Sequence, residues 1–486
     1  MNIFRCVNGC LAPVLTPLLA PLLASLLAPL LAPLWLPPPA HATPLTLIEV
    51  LTAVDATHPK LLAARQKLSG AEAKAVGARG AWDPKVKAKG SLSTGPYDYN
   101  TLSAEVTQAT PLWGASLFAG YRMGGGEVPI YKYDLKTLSQ GEVSAGLEVP
   151  LLRERATDEA RAGIARADHE RDAARCDIEA ERLNAHLKAS EAYWGWAAYG
   201  AEVAIQERLL RAAEERATAL RERVAQGSLP PIIEVDNERL ILDRKAKLVG
   251  ARRDLAEGAL KLSLFLRDEE LNPIPPPPSR APAELPPPTP PTLPDETVDL
   301  ARAREERPDL CALRRRLSAT QVQLEWAEAR RAPSLNARAF VAKDLGGGAP
   351  SLAGTELGAA LLLEVPVGLR KATGDLDAAQ AQLLAERALL RGEEDRVLAE
   401  IRTARVDLIA DLEQEALARA QVGLAAALVE AERLKLDEGA SDLVFLNLRE
   451  QALADAERAL VKARLEFHKA EAAYLAARGL TLSVVR

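Results

Sequence analysis

The chain has 486 residues, enough for several ordinary domains, yet only 4% are aromatic, a balance that suits narrow, closely packed helices better than a bulky globular core. Its net charge of −6 is mild and no basic patch stands out. Nucleic acid is therefore a poor candidate for a partner.

The N-terminus carries Arg5, then a run of leucine, alanine and proline from Leu11 to Trp35, then Ala40-His41-Ala42 with the small-x-small pattern of a signal-peptidase site. Pro13, Pro17, Pro21, Pro29 and Pro33 would break a spanning helix repeatedly. Residues 1–42 are thus expected to be a signal peptide. Its removal would take Cys6 and Cys10, and with them a loose likeness of Val7-Asn8-Gly9-Cys10 to an acylation box, which we read as coincidence. Cys176 and Cys311 would remain, on separate expected helices. Two cysteines do not make a disulfide framework, and both are expected to be small buried residues.

Residues 43–271 read as one unit. Short helices cover Thr46 to Ala56 and Thr57 to Ala81, and Trp82-Asp83-Pro84 stops them. Alternation then marks strands at about 84–93, 101–109, 113–122 and 141–150. In the first, Val86, Ala88, Gly90 and Leu92 share one side, with Lys85, Lys87 and Lys89 on the other. In the third, Trp113 and Tyr121 stand at the two ends of an apolar face, as interfacial aromatics do in a membrane barrel. Gly124-Gly125-Gly126 is expected to be a loop. The fourth strand ends at Pro150, where the chain becomes a charged, alanine-rich helix over about 153–226, on the order of 110 Å long at 1.5 Å per residue. Leu183, Leu187, Ile205, Leu209, Ala213, Ala217, Leu220 and Val224 give it a thin apolar stripe suited to coiled-coil packing. Gly227-Ser228-Leu229-Pro230-Pro231 forces a turn, and a second helix returns over about 232–267.

Residues 272–294 are a proline-rich, stiff connector, and 295–486 repeat the first unit. Arg307-Pro308-Asp309-Leu310 stands where His58-Pro59-Lys60-Leu61 did. Strands are expected at about 334–344 and 355–366, and Glu364-Val365-Pro366 repeats Glu148-Val149-Pro150. Long helices follow at about 368–438 and 443–478, joined at Gly439-Ala440-Ser441. The first unit holds one extra segment, near Asn100 to Tyr121, which has the length of an inserted hairpin.

The two strands common to each repeat, even with the extra pair in the first, cannot shield their backbone groups in lipid, because an open sheet edge there is prohibitively costly. Several chains must close one barrel, and the helices continuing from those strands should prolong it as a tube. The fold expected is mainly α with a membrane β part, a duplicated helix–strand–strand–long helix–helix unit.

In this order of signals the sequence resembles the outer-membrane efflux protein family, TolC-like. The residues that carry the resemblance are Arg307-Pro308-Asp309-Leu310, Pro333, the joints at Pro150 and Pro366, Glu191-Ala192-Tyr193-Trp194, and the tip turns at Gly227 and Gly439. The resemblance implies a homotrimer with a β-barrel in the outer membrane of a Gram-negative bacterium and an α-helical barrel crossing the periplasm. It also implies a passive exit duct of a tripartite efflux pump or type I secretion system. Gly227 and Gly439 would then dock a periplasmic adaptor (membrane fusion protein), which works with an inner-membrane transporter.

Two departures stand out. Family members usually carry four strands per chain, so the pair near 101–109 and 113–122 either widens the barrel wall or extends outside the cell. Family members also commonly narrow the pore with an aspartate six or nine residues past the tip glycine. Phe445 and Leu448 hold those places after Gly439, so Glu234, Asp236 and Asp442 are the candidates for an acidic pore entrance, with ordinary exposed helix charge as the plain alternative. A periplasmic coiled-coil adaptor or scaffold is the alternative function, although an adaptor would need an all-β insert and would not repeat the strand–proline–helix joint. His41, His58, His169, His186 and His468 show no ligand spacing. The triple glycines lack a following Gly-Lys-Ser/Thr, and no nucleophile sits with a base. No cofactor, metal or catalysis is expected.

Overall fold

A computed structural model describes residues 43–481; the signal peptide expected at 1–42 lies outside them. Thr46 caps α1 (Leu47–Thr57), its hydroxyl accepting from the Glu49 amide, and Pro59 opens α2 (Pro59–Arg79) at the one helical position where a missing N–H costs nothing. Four strands follow: β1 (Lys85–Ser93), β2 (Tyr99–Ala109), β3 (Ser116–Gly126) and β4 (Glu142–Pro150). Then come α3 (Glu159–Ala225) and α4 (Ile232–Ser263). Past the connector lie α5 (Glu296–Glu306), α6 (Pro308–Ala329), β5 (Ser334–Asp344), β6 (Thr355–Glu364), α7 (Arg370–Asp437) and α8 (Leu443–Ala477).

Several boundaries differ from expectation, each for a local reason. The third strand begins at Ser116 instead of about 113, because Trp113 (φ 53°) and Gly114 (φ 72°) form the turn before it. It then runs through Gly124, Gly125 and Gly126, which are strand and not loop. Glycine is needed there because the Leu135 carbonyl oxygen lies 1.8 Å from where a Gly124 Cβ would stand. The first long helix starts at Glu159 instead of about 153, since Glu154 takes a positive φ of 74° and Asp158 caps the helix by accepting from the Arg161 amide at 2.7 Å. The sixth strand stops at Glu364, short of 366, and α7 begins at Arg370 instead of about 368. The fourth helix stops at Ser263, short of 267, where a tight turn brings Arg267 against Pro273.

The six strands form one antiparallel meander in chain order, β1 to β6. At 67 and 68 residues, α3 and α7 are each about 100 Å long. Helices α2 and α4 pack on α3, as α6 and α8 pack on α7, and α3 also meets α6 and α8. The main core gathers Val50, Leu51 and Val54 of α1, Tyr193, Trp194, Trp196 and Ala197 of α3, and Leu255 and Leu262 of α4. Gly200 is where the connector crosses α3, since a Cβ there would stand 2.7 Å from the Pro282 oxygen. The connector is pinned on its way: Arg464 donates to the Leu285 carbonyl at 2.9 Å, and His468 bonds the Pro286 carbonyl at 3.0 Å while stacking on Trp194.

The cysteines correct the expectation of two inert buried residues. Helices α3 and α6 lie side by side, bringing the Cα atoms of Cys176 and Cys311 to 5.9 Å, and the two are joined as a disulfide. Both are half-buried.

Candidate functional site: a two-faced sheet and two helix tips

The sheet has two unlike faces, and the register assigns each residue to one of them. Val86↔Val106, Ala104↔Tyr121, Ala119↔Ala145, Leu147↔Ala339 and Val341↔Leu357 put one apolar line across all six strands. That face is uncovered: Val86 is 70% exposed, Leu117 54%, Leu361 72% and Leu357 83%. Lone exposed leucines need no explanation, but a contiguous apolar face of this extent marks contact with something apolar.

The opposite face carries Lys85, Lys87, Lys89, Ser103, Glu105, Thr107, Arg122, Ser144, Glu148, Asn336 and Arg338. Its large apolar members are Phe118, Phe340 and Leu362. Phe118 is buried under Arg338, whose guanidinium lies 3.7 Å from the ring centroid. The same arginine donates to Glu105 at 2.9 Å, and Asn336 donates to Glu148 at 3.1 Å. Among the described residues, the outer edges of β1 and β6 have no strand partner.

Pro150 is the last residue of β4, opposite Asn336, and the Leu151 amide still donates to the Leu335 carbonyl at 2.7 Å. The bend into α3 is braced by Arg161, which donates to the Asp158 carboxylate at 2.8 Å and to the carbonyls of Glu154, Arg155 and Ala156. Pro366 lies two residues past β6, in the short link to α7. Of the two expected interfacial aromatics, Trp113 is 67% exposed in the turn between β2 and β3, and Tyr121 sits on the apolar face, donating to the Gln140 carbonyl at 2.9 Å.

Both helix tips use one device. Gly227 (φ 72°) and Gly439 (φ 75°) follow α3 and α7 in the left-handed conformation, and the next amides reach back, Ser228 to the Arg223 carbonyl and Ala440 to the Lys435 carbonyl. Glu234 lies in the first turn of α4 with Arg221 3.8 Å away, and Asp236 has Arg239 at 4.0 Å. Asp442 caps α8, accepting from the amides of Val444 and Phe445 at 2.9 and 3.1 Å. Of the three candidate acids, Asp442 is thus tied to its own helix start, while Glu234 and Asp236 each have an arginine close by. Among the described residues, no group of three or more His, Cys, Asp or Glu side chains is arranged to hold a metal ion.

Sequence reasoning missed the charge cluster above the tips. Glu450 of α8 is buried and accepts both guanidinium nitrogens of Arg216 on α3, at 2.9 and 2.7 Å. Arg244 of α4, whose side chain is only 1% exposed, reaches the same carboxylate at 3.2 Å and also donates to the Leu209 carbonyl. Arg433 of α7 is 3.7 Å away. Burial pushes the Glu450 carboxyl up, but the hydrogen bonds and charges of Arg216 and Arg244 outweigh it and hold the group below the usual carboxylate range. The one sequence signal was position: Arg216 precedes Gly227 by as many residues as Glu450 follows Gly439.

The family model described as outer membrane efflux protein matches residues 50–266. No curated protein matches the sequence significantly. Among solved structures, the outer membrane protein VceC of Vibrio cholerae is similar at 20% identity and a TM-score of 0.61, over 89% of this chain and 96% of that one. The open state of the MtrE outer membrane channel of Neisseria gonorrhoeae matches at 15% identity and 0.62, over 90% of this chain and 89% of that one. The CmeC outer membrane channel of Campylobacter jejuni matches at 14% and 0.61, over 89% and 85%. At these identities the likeness carries the fold, which is that of one chain of a TolC-like channel.

Proposed function

We propose, from the premise that residues 50–266 place this chain with the outer membrane efflux proteins, that it is the passive exit duct of an export machine. In this reading three identical chains seal their sheets into a barrel in the outer membrane of a Gram-negative cell, and α3, α4, α7 and α8 prolong the bore across the periplasm. The apolar face meets lipid and the face with Lys87, Glu105 and Arg338 lines the water-filled passage, as barrels with alternating strands require. The tips at Gly227 and Gly439 would receive a periplasmic adaptor that links the duct to an inner-membrane transporter of a tripartite pump or a type I secretion system. Glu234, Asp236 and Asp442 would stand around the entrance. Pro150 and Pro366 mark the level at which wall becomes tube.

One observation carries the reading: a six-stranded sheet with one largely apolar, uncovered face and both edges unpaired, joined through short links to helices of about 100 Å. In water such a sheet would expose both its apolar face and its edge hydrogen-bonding groups. No described helix is long and apolar enough to cross a membrane. Cell fractionation tests the reading. Recovery in the outer membrane as a trimer that withstands mild detergent supports the duct, whereas a freely soluble periplasmic protein, as an adaptor or scaffold would be, refutes it.

A further inference from the structure

We propose that the β2–β3 hairpin is part of the barrel wall, so that each copy contributes six strands and three copies close an eighteen-stranded barrel. This rests on the duct reading above and adds what it leaves open, the width of the exit.

Register is the first argument. β2 pairs with β1 without interruption from Lys85↔Thr107 to Ser93↔Tyr99, and with β3 from Tyr99↔Gly126 to Ala109↔Ser116; β3 in turn pairs with β4 from Ser116↔Glu148 to Arg122↔Glu142. A hairpin standing clear of the wall would leave β1 to pair with β4. Instead it lies between them along their length.

The faces agree with the register. Leu102, Val106, Leu117 and Met123 continue the apolar line of the other four strands and are open on that side, Leu117 at 54% and Leu102 at 50%, comparable with Val341 at 43%. On the other side the Arg338–Glu105 ion pair joins β5 to β2 across β3 and β4. In a flat sheet those strands would be about 14 Å apart, three spacings of roughly 4.8 Å. Two extended side chains bridge that span over Phe118, on the face that would line a water-filled barrel.

The lower end of the hairpin is tied to the level where strands become helices. A Cβ on Gly114 would stand 3.0 Å from the Pro150 ring and 2.7 Å from the Glu154 oxygen, and Gln108 donates to the Trp82 carbonyl. Leu112 and Trp113, exposed at 70% and 67%, therefore sit beside the strand-to-helix joint, where an interfacial aromatic belongs. The two free edges are also complementary: β1 offers Lys85, Lys87 and Lys89 on the charged face, and β6 offers Glu356 and Glu364 on that same face. A second copy is the partner these edges fit.

With strands about 4.8 Å apart and tilted about 40°, eighteen strands enclose a barrel of about 36 Å between backbones, against about 24 Å for the twelve that would remain without the hairpin. The test is thiol accessibility in isolated outer membranes of cells expressing full-length single-cysteine variants, probed with a membrane-impermeant maleimide. Leu117→Cys reports the hairpin, Leu361→Cys the wall strand β6, Ser103→Cys the charged face of β2, and Ile130→Cys the loop after β3, where Ile130 is 92% exposed. The expected result is at least tenfold slower labelling of Leu117→Cys and Leu361→Cys than of Ile130→Cys and Ser103→Cys, with all four labelling fully in hot detergent. Fast labelling of Leu117→Cys beside a protected Leu361→Cys would overturn the eighteen-stranded wall and leave the duct standing. Fast labelling of both would overturn the duct and this inference with it. Leu102→Cys reads the same face from β2 should Leu117→Cys fail to reach the membrane.

Discussion

The Glu450 cluster yields the sharpest expectation. Glu450→Gln keeps the shape of the side chain and removes its charge, leaving Arg244, 1% exposed in its side chain, with the Leu209 carbonyl but without its ion-pair partner, and Arg216 without its two-pronged charged acceptor. Breaking a buried pair in this way costs about 3–5 kcal/mol. The cluster binds α8 to α3 and α4, so the loss falls on the attachment of one tip hairpin to the other. At about 1.4 kcal/mol per factor of ten, the balance between joined and parted hairpins moves by roughly a hundredfold or more. In planar-bilayer recordings of the purified trimer, the variant should therefore conduct far more often or at a higher level than the parent chain. Proteolysis at the tips should quicken in parallel. Asp455→Asn, which removes an exposed partner of Arg458 on the same helix, is the control and should change neither. Conductance and tip proteolysis equal to the parent in Glu450→Gln would show that the cluster does not hold the hairpins together.

Other outcomes follow from the same geometry. Gly227→Ala places a Cβ in open space, with nothing within 4 Å, yet in a left-handed backbone; it should lower stability by about 1 kcal/mol through conformation alone, read as a lower melting temperature. Burial pulls His186 and His58 below the usual imidazole range, in His186 against the pull of Asp55. Both bind a proton less readily in the folded chain than in the unfolded one, so thermal stability should fall as the pH drops below about 6.5. His186→Gln should flatten part of that slope, and an unchanged slope would rule out His186 as its source. Replacing Cys176 and Cys311 by serine opens a loop with a sequence separation of 135 and should cost up to about 5 kcal/mol, visible as a lower melting temperature that added reductant no longer changes. Neutralising Glu234, Asp236 and Asp442 together should weaken cation preference in bilayer recordings; unchanged selectivity would reduce the three to ordinary helix-end charges.

Strands and long helices were legible where one period ran without interruption. Alternation from Val86 to Leu92 and from Leu357 to Leu363 reports a surface with two unlike sides, and two glycine turns announce the ends of α3 and α7. Glycine misled at 124–126, because an absent side chain signals either a turn or the close approach of another segment, and only the fold shows the Leu135 carbonyl arriving there. Trp113 misled for a related reason: an aromatic at the end of an apolar run looks like strand until its backbone is seen to turn. The onset of α3 depended on Arg161 gathering three carbonyls, a contact that no periodicity encodes. The disulfide and the Glu450 cluster join helices far apart in sequence, and such pairings become visible only when the helices are laid side by side. The candidate acids near the tips were found by position, but the nearness of Arg221 and Arg239 and the capping of α8 by Asp442 were not.

The bond between Cys176 and Cys311 also changes what kind of object the chain is. It makes a closed ring of most of α3, the Gly227 tip, α4 and the proline-rich connector, with two linear arms leaving from it. A single protease cut at the exposed tip would leave both pieces covalently held, and a quality-control machine that threads its substrates from one end would meet a doubled strand instead of a single one. Reducing that one bond would return a misassembled copy to a single linear thread.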